Sequence, residues 1–323
     1  MIKAGIKIGP YNWVMRLIES GAERCEVWFL INKESSYADM FQFLDRKQIR
    51  TGLNFRGVIE NNRLADPVCR DETVRSRSIL LIQKCIDIAG RNGFSYVNIL
   101  PGNTLSRKFN PEDQDSGNAN NLKMYYRDLK RVFRESALLL HEYGQNKNVN
   151  VLWETPPVTA PADSNKKAGD CSGPGFIPEL NSFTLEEAAK KDGILITNNI
   201  DHIMAESRGN SLREMIDYLF DRTRKLAQHT RLLHINKAIR ENNGANGRNG
   251  AANAKSGIET IPTKSQLLRL LELFKDINGL WAINDQANKQ IQDFVAFREL
   301  LMSAGKNEFS RLSVSRVREY NEQ

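Results

Sequence analysis

The side chains that could carry out chemistry in this chain stand where short apolar runs end. A carboxylate, an amide or an imidazole can bind a divalent ion such as Mn²⁺, Mg²⁺, Co²⁺ or Zn²⁺, and a carboxylate or an imidazole can also carry a proton. The alternative is that each of these groups is a hydrogen-bonded polar residue at the edge of a core. The candidates are Glu154, Asn198, Asn199, Asp201, His202, His234, Asn284 and Asp285.

Eight such apolar runs alternate with segments of helical spacing. Val74, Leu81, Cys85 and Ile88 share one helix face, and similar patterns fill 122–143, 212–227, 265–274 and 291–302. Apolar strands that alternate with helices indicate parallel strands buried on both faces. The predicted strands are 3–9, 25–30, 50–55, 95–100, 150–155, 193–198, 231–236 and 280–285.

Eight alternating units predict an α/β fold, a single (β/α)8 TIM barrel. The alternative is a doubly wound open sheet, but no G-x-G-x-x-G follows the first predicted strand. In a barrel the carboxyl ends of all strands share one rim, so the strand-end candidates would converge there. His141 and His229 precede strands instead, and we expect both to lie away from that rim.

Long loops follow the fourth, fifth and seventh predicted strands, at 101–121, 158–182 and 241–263. We expect a barrel over 1–305 with insertions at about 158–182 and 241–263, and a C-terminal tail at 306–323. Loops on this rim commonly form lids and substrate contacts. Alternatively, the asparagine-rich segment 241–263 is a disordered insertion without a function.

Composition narrows the class of protein. No apolar run reaches the roughly 18 residues of a membrane span, the first residues lack the pattern of a signal peptide, and the four cysteines form no C-x-x-C pair. We therefore expect a cytoplasmic protein with reduced cysteines and no membrane partner. The net charge of +7 comes from 46 basic and 39 acidic residues without a long basic block, which is a weak indication of a nucleic-acid partner.

Four motifs resemble the xylose-isomerase-like TIM-barrel superfamily, which holds sugar phosphate isomerases and epimerases and the AP endonuclease family 2. The resemblance extends over nearly the whole chain. The superfamily includes 3-epimerases of the tagatose and psicose kind, inosose dehydratase, hydroxypyruvate isomerase and endonuclease IV. The motifs are "VLWETPP" at 151–157, "LITNNIDH" at 195–202, "HINKAIR" at 234–240 and the segment 77–102, which ends in Pro-Gly.

The resemblance implies a metal site. Epimerase-like members bind one metal ion through Glu, Asp, His and Glu on strands five, six, seven and eight. An Arg six residues after the His binds a substrate oxygen. Transferred here, it makes Glu154 and His234 metal ligands, Arg240 a substrate-binding residue and His202 a residue beside the substrate. The chain departs from the pattern twice. Asn199 stands at the Asp position, with Asp201 as the nearby carboxylate, and Asn284 stands at the Glu position, with Asp285 adjacent.

The implied chemistry is proton transfer on a carbon beside a metal-chelated carbonyl. We expect Glu154 to act as ligand and base, Asp285 as its partner, and His202 as a hydrogen-bonding group in catalysis. The remaining expected roles form two sets. The substrate-binding residues are Arg240, Trp13, Asn54 and Asn284, and the metal ligands are Glu154, Asn199, Asp201, His234 and Asp285. Aromatic residues near strand ends could stack on a sugar, except Trp153, which should pack outward against helices.

The function expected from this resemblance is that of an enzyme, a divalent-metal-dependent isomerase or epimerase of sugars, inososes or sugar phosphates. Its partners would be a carbohydrate substrate and, as an open alternative to a monomer, further copies of itself in a homo-oligomer. One alternative function is a catalytically degenerate, metal-free barrel that binds sugar or serves as a partner subunit. Another is a DNA phosphodiesterase like endonuclease IV. That chemistry needs further histidines on strands three and four, where the chain reads "LNFRG" and "NILPG".

Overall fold

The eight apolar runs form the eight strands of a closed barrel. Each strand pairs in parallel with the next one in the chain, and the last pairs with the first. The predicted barrel is thus confirmed and the open sheet is excluded. The strands are β1 Lys3–Ile8, β2 Arg24–Leu30, β3 Arg50–Arg56, β4 Tyr96–Ile99, β5 Asn150–Glu154, β6 Leu195–Asn199, β7 Thr230–Ile235 and β8 Trp281–Asn284.

This computed structural model describes residues 2–60, 64–101, 119–157, 180–207, 211–235, 262–284 and 291–305. Most of the three long loops and the 306–323 tail fall outside these ranges, as do Arg240 and Asp285. No helix within the ranges is long and apolar enough to cross a membrane.

Helices surround the barrel. All of the segments with clear helical spacing are helical as predicted, whereas α1, α2, α5 and α6 were not identified because their apolar repeats are too few to show a period. The helices are α1 Trp13–Ser20, α2 Ala38–Arg46, α3 Glu72–Arg91, α4 Ala119–Gln145, α5 Ser182–Asp192, α6 Ile200–Glu206, α7 Leu212–Leu226, α8 Lys264–Glu272 and α9 Ile291–Gly305, with 3-10 helices at Ile31–Tyr37 and Ala227–His229.

Alternate residues of each strand face the helices or the barrel interior. On β2, Cys25, Val27 and Phe29 are fully buried in the layer between strands and helices. On β5, the outward Trp153 packs edge-on against Phe133 of α4 at 5.2 Å between ring centroids. The expectation that Trp153 faces outward is confirmed. The intervening residues of each strand therefore fill the barrel.

The lower part of the interior is an apolar plug, which we define as Tyr96, Leu152, Leu232, Trp281 and Ile283. The Tyr96 and Trp281 rings meet at 5.3 Å in a T-shaped contact. Gly52 on β3 gives the Tyr96 ring its room, since a Cβ at this position would overlap the ring. Because the plug excludes water from below, polar groups above it lie in a region of low dielectric constant.

The Gly52→Ala substitution should disturb the plug and the polar layer together. An added methyl group must displace the Tyr96 ring, whose hydroxyl donates a hydrogen bond to Glu26 at 3.1 Å. Overpacking of this kind costs about 1–3 kcal/mol of unfolding free energy, which urea denaturation measures. Gly9→Ala is the control, since Gly9 does not have the positive φ that strains other residues and its Cβ would meet only Asn12 Oδ1, at 4.0 Å. If the Gly52→Ala protein is as stable as the wild type, the plug can accommodate an added methyl group without cost, and the prediction is wrong.

Candidate active site at the carboxyl end of the barrel

His234 connects two carboxylates across the barrel interior. It lies near the end of β7 and is fully buried. Its Nε2 is 2.8 Å from Oε2 of Glu26 on β2, and its Nδ1 is 3.2 Å from Oε1 of Glu154 on β5. A carboxylate can only accept, so both contacts are hydrogen bonds when both ring nitrogens carry a proton.

The two carboxylates hold this imidazole in its protonated form. Burial by itself lowers the pKa of His234, but the charges of Glu26 and Glu154 outweigh burial and raise the pKa to about 10. Burial likewise raises the carboxyl pKa values, yet His234 and Lys7 bring the pKa of Glu26 below its ordinary value, and His234 brings that of Glu154 well below it. Lys7 lies 3.6 Å from Glu26. Two cations and two anions thus form a neutral buried cluster.

Neutral donors fix the Glu154 carboxylate on both oxygens. Asn98 donates to Oε2 and Asn199 to Oε1, each at 2.8 Å. Asn98 is itself held by the Thr197 hydroxyl, which donates to its Oδ1 at 2.7 Å. A carboxylate with this many donors favours its charged form, so Glu154 is suited to remain an anion and to bind a cation.

His202 faces the site from the first turn of α6. Asn199 begins this helix, and its side chain accepts a hydrogen bond from the backbone N–H of His202. The Nδ1 of His202 is 2.6 Å from the carbonyl oxygen of Thr155, which can only accept, so Nδ1 carries the proton. Nε2 of a neutral His202 therefore has the lone pair. The side chain is 23% exposed, so it is within reach of a ligand at the barrel mouth.

The structure brings Glu154, Asn199, His202 and His234 together at the carboxyl end, as predicted. His141, by contrast, is a partly exposed residue of α4 that contacts Gln145 at 3.0 Å. His229 lies in the 3-10 helix that leads into β7, at the opposite end of the barrel. The expected separation of the histidines is confirmed.

The other predicted site residues have more varied positions. Asn54 is buried beside Asn98 in the strand register. Trp13 begins α1 and packs against Phe43 with ring centroids 5.0 Å apart. Asp201 lies in the first turn of α6. Arg240 and Asp285 lie outside the described residues, and their roles stay predictions.

Asn284 belongs to the outward row of β8. Its register partners are Ile6 and Ile235, which are both part of the layer between strands and helices. The inward residues of β8 are Trp281 and Ile283, so Asn284 faces away from the barrel interior.

Sequence reasoning missed Lys7, Glu26, Tyr96, Asn98 and Thr197. Each is a buried, inward strand residue that lies before the carboxyl end of its strand. A signal was present in two cases. Lys7 in "KAGIKIG" and Glu26 in "CEVWFL" are charged residues within otherwise buried strands, which rarely happens unless the charge is paired.

The arrangement around Glu154 fits a divalent ion in part. Glu154 Oε1 is 3.2 Å from His234 Nδ1, so these two side chains would hold an ion between them once Nδ1 has lost its proton. Asn199 contacts the same oxygen at 2.8 Å through its amide nitrogen, which cannot bind a cation. Glu26 then holds the other ring nitrogen of His234, as carboxylates commonly do behind a metal-bound histidine. Among the described residues, no group of three or more His, Cys, Asp or Glu is arranged so that it could hold a metal ion.

Comparison with solved structures shows the fold. A D-tagatose 3-epimerase-like protein is 14% identical, with 94% of this chain and 97% of that chain covered at a TM-score of 0.59. An L-ribulose 3-epimerase is 10% identical, with 98% and 99% covered at 0.62. Endonuclease IV from Thermus thermophilus is 12% identical, with 93% and 99% covered at 0.52.

No family model and no curated protein matches the sequence. The solved structures alone confirm the resemblance to xylose-isomerase-like barrels, and they confirm it as a similarity of structure at low sequence identity.

The charged cluster predicts how stability depends on pH in the absence of metal. Because His234 has a pKa of about 10 in the folded protein and an ordinary value of 6.5, its contribution to the unfolding free energy is complete below pH 6.5 and is lost as pH rises through 10. The loss is about 1.4 kcal/mol per pH unit within this window. Urea denaturation between pH 6 and 10 in the presence of a chelator measures it.

The Glu26→Gln variant provides the comparison. Without one carboxylate the pKa of His234 in the folded protein falls, while the ordinary value of 6.5 in the unfolded chain stays the same. The decline should therefore end at lower pH and be smaller in total than in the wild type. Identical pH profiles for the two proteins would contradict the assignment of the decline to His234.

Proposed function

We propose that this protein is a divalent-metal-dependent isomerase or epimerase of sugars. The observation that carries the proposal is the convergence of Glu154, Asn199 and His234 on one point at the carboxyl end of the barrel, with His202 beside them. The names of the structural neighbours, a D-tagatose 3-epimerase-like protein and an L-ribulose 3-epimerase, support a carbohydrate substrate.

Glu154 and His234 would hold the ion, with the amide oxygen of Asn199 as a third ligand and the carboxylate of Asp285 or Asp201 completing the set. Asn199 would have to turn its amide, whose nitrogen now points to Glu154. A bound divalent cation polarises a carbonyl and acidifies the adjacent C–H group. An amide binds a hard cation more weakly than a carboxylate does, so we expect weaker metal binding than an Asp at position 199 would give.

The proposed proton acceptor is His202. Its Nδ1–H is held by the Thr155 carbonyl, and its Nε2 has a long contact of 3.4 Å with the Asn199 amide nitrogen. A substrate carbon or hydroxyl that displaces this contact would give its proton to the Nε2 lone pair. Glu154 is less suited to this role than the sequence suggested, because, despite its burial, the charge and hydrogen bond of His234 hold its pKa well below the ordinary value, which makes it a weak base. Asp285 is the proposed partner on the other side of the substrate, and Arg240 the proposed contact to a substrate oxygen.

A metal-free sugar-binding barrel is the second candidate. The observation that favours it is the charge balance of the cluster, in which His234 donates to both Glu26 and Glu154 and Lys7 supplies the second positive charge. Such a cluster is satisfied without an ion. Phosphodiester cleavage has less support, since the buried polar residues of β3 and β4 near the site are Asn54 and Asn98, not histidines.

The Asn199→Asp variant separates the first two candidates. In chelator, a second carboxylate beside Glu154 Oε1 should lower the unfolding free energy by roughly 2 kcal/mol through like-charge repulsion and the loss of a donor. With Mn²⁺ at about 100 times its Kd, binding should restore about 2.7 kcal/mol. Thermal and urea denaturation with and without Mn²⁺, together with calorimetric titration, measure both effects.

Asn150→Asp is the matched control, because Asn150 is an exposed residue at the opposite end of β5. It should change neither the stability in chelator nor the response to Mn²⁺. If Mn²⁺ stabilises neither the wild type nor Asn199→Asp, the metal-dependent proposal is wrong and the metal-free barrel is favoured.

The His202→Gln variant tests the catalytic role. On Mn²⁺-loaded protein, solvent deuterium exchange at the carbon next to the carbonyl, followed by NMR over a panel of ketoses and their phosphates, should slow by about 100-fold or more, as for the loss of a general base. Metal affinity should change little.

His141→Gln removes the partly exposed histidine of α4 and should exchange at the wild-type rate. Equal rates for His202→Gln and the wild type would remove His202 from the proposed mechanism. The absence of exchange for every sugar with wild-type protein would refute the epimerase proposal itself.

A further inference from the structure

A second group of residues stands at the barrel mouth on β2 and β3, next to Lys7 of the charged cluster, whose Nζ is 6.0 Å from the centroid of the Trp28 ring. Trp28 is 46% exposed although it follows Glu26 in the inward row of β2. Arg56, the last residue of β3, lies over its ring with the guanidinium carbon 5.6 Å from the centroid. Asn54 pairs with Trp28 in the strand register. We call Trp28, Asn54 and Arg56 the β2–β3 subsite.

The guanidinium of Arg56 is held in place without being neutralised. Stacking on an aromatic face orients its donors and leaves them available in its plane. Within the part of the chain that the structure describes, Arg56 has no carboxylate partner. The same barrel has a second stacked pair at its opposite end, Arg24 on Trp281, and there the arginine has an acidic neighbour, Glu23, at 3.5 Å.

Asn54 supplies a second, independent indication of a ligand. Its side chain is 2% exposed, and its Nδ2 has no hydrogen-bond partner among the described residues. A buried amide donor left without a partner costs free energy, and such groups commonly mark the position of a ligand or a water. Nδ2 is a donor, so its missing partner is an acceptor.

The distance to the charged cluster suits one substrate molecule. Asn54 is next to Asn98 in the β3–β4 register, and Asn98 donates to Glu154 on β5. Neighbouring strands are about 4.8 Å apart, so β3 and β5 are separated by about 10 Å. A sugar of five or six carbons whose reactive end lies at Glu154 and His234 can extend its far end to β3.

We propose that the β2–β3 subsite binds an anionic group, a phosphate or a carboxylate, on the end of the sugar remote from the reacting carbon. Arg56 donates paired hydrogen bonds to the anionic oxygens, Asn54 donates from Nδ2, and the Trp28 face limits the arginine to one orientation. This proposal rests on the proposed function for the identity of the ligand as a sugar, and it restricts the substrate to phosphorylated or acidic sugars.

Matched pairs of sugars test the subsite by calorimetric titration at constant ionic strength, with chelator and with Mn²⁺. The pairs are D-fructose with D-fructose 6-phosphate and D-glucose with D-glucuronate. At least one anionic member should bind tenfold or more tightly than its neutral partner, and the pair that shows the gain tells phosphate from carboxylate. Arg56→Gln should abolish the gain, and Arg56→Lys should restore only part of it.

Arg50→Gln is the control, because Arg50 is an exposed residue at the other end of β3 and its loss changes the net charge equally. It should leave the gain intact. The subsite proposal is overturned if neither anionic sugar binds more tightly than its neutral partner, or if the gain survives Arg56→Gln or is lost equally in Arg50→Gln.

Deuterium exchange, measured separately, keeps the two proposals distinguishable. Exchange of neutral sugars without an anion preference overturns the subsite alone. An anion preference that depends on Arg56, without exchange of any sugar, supports the subsite and overturns the epimerase proposal alone.

Discussion

The bridge that His234 forms between Glu26 and Glu154 is the interaction on which the barrel interior depends. Removing two carboxylates from water costs several kcal/mol each, and only a nearby positive charge with good hydrogen bonds offsets that cost. His234 and Lys7 supply the charge, and the Asn98 and Asn199 amides complete the hydrogen bonds of Glu154. No member of the cluster can be lost without leaving another uncompensated, so β1, β2, β5 and β7 are linked through the centre of the barrel.

The cluster in turn requires the apolar plug below it. Parallel strands in a closed barrel place one row of each strand inside, and large rings from β4 and β8 fill the lower part of that space. Gly52 allows the Tyr96 ring to lie there, and the same ring reaches up to Glu26 with its hydroxyl. Tyr96 therefore both fills the apolar plug and donates a hydrogen bond to the charged cluster. Because water is excluded from below, ligands approach the charged cluster from the carboxyl end alone.

The sequence predicted what depends on local pattern. Buried strands read as apolar runs, and Glu154, His202 and His234 were found because they are polar residues at the ends of such runs. Glu26 and Lys7 were missed because their roles depend on which strands meet across a closed barrel, which no local pattern records. For the same reason the sequence did not tell which of Asn284 and Asp285 faces the barrel interior, since a shift of one position along a strand reverses the direction of the side chain. The register of β8 with β1 and β7 places Asn284 in the outward row.

Glu26 makes the protonated and the proposed metal-bound states of the site compatible. If Nδ1 of His234 gave up its proton to bind an ion, Nε2–H would still donate to Glu26 and the ring would keep its position. The ion would then replace the imidazolium as the positive partner of Glu154. The charge balance then changes. A divalent ion in place of one proton would add one positive charge to a neutral cluster, and the amide of Asn199 would not compensate for it. The carboxylate of the proposed further ligand, Asp285 or Asp201, would. The charge of Arg56 on β3 then remains at the barrel mouth, and this positive potential favours an anionic sugar over a neutral one.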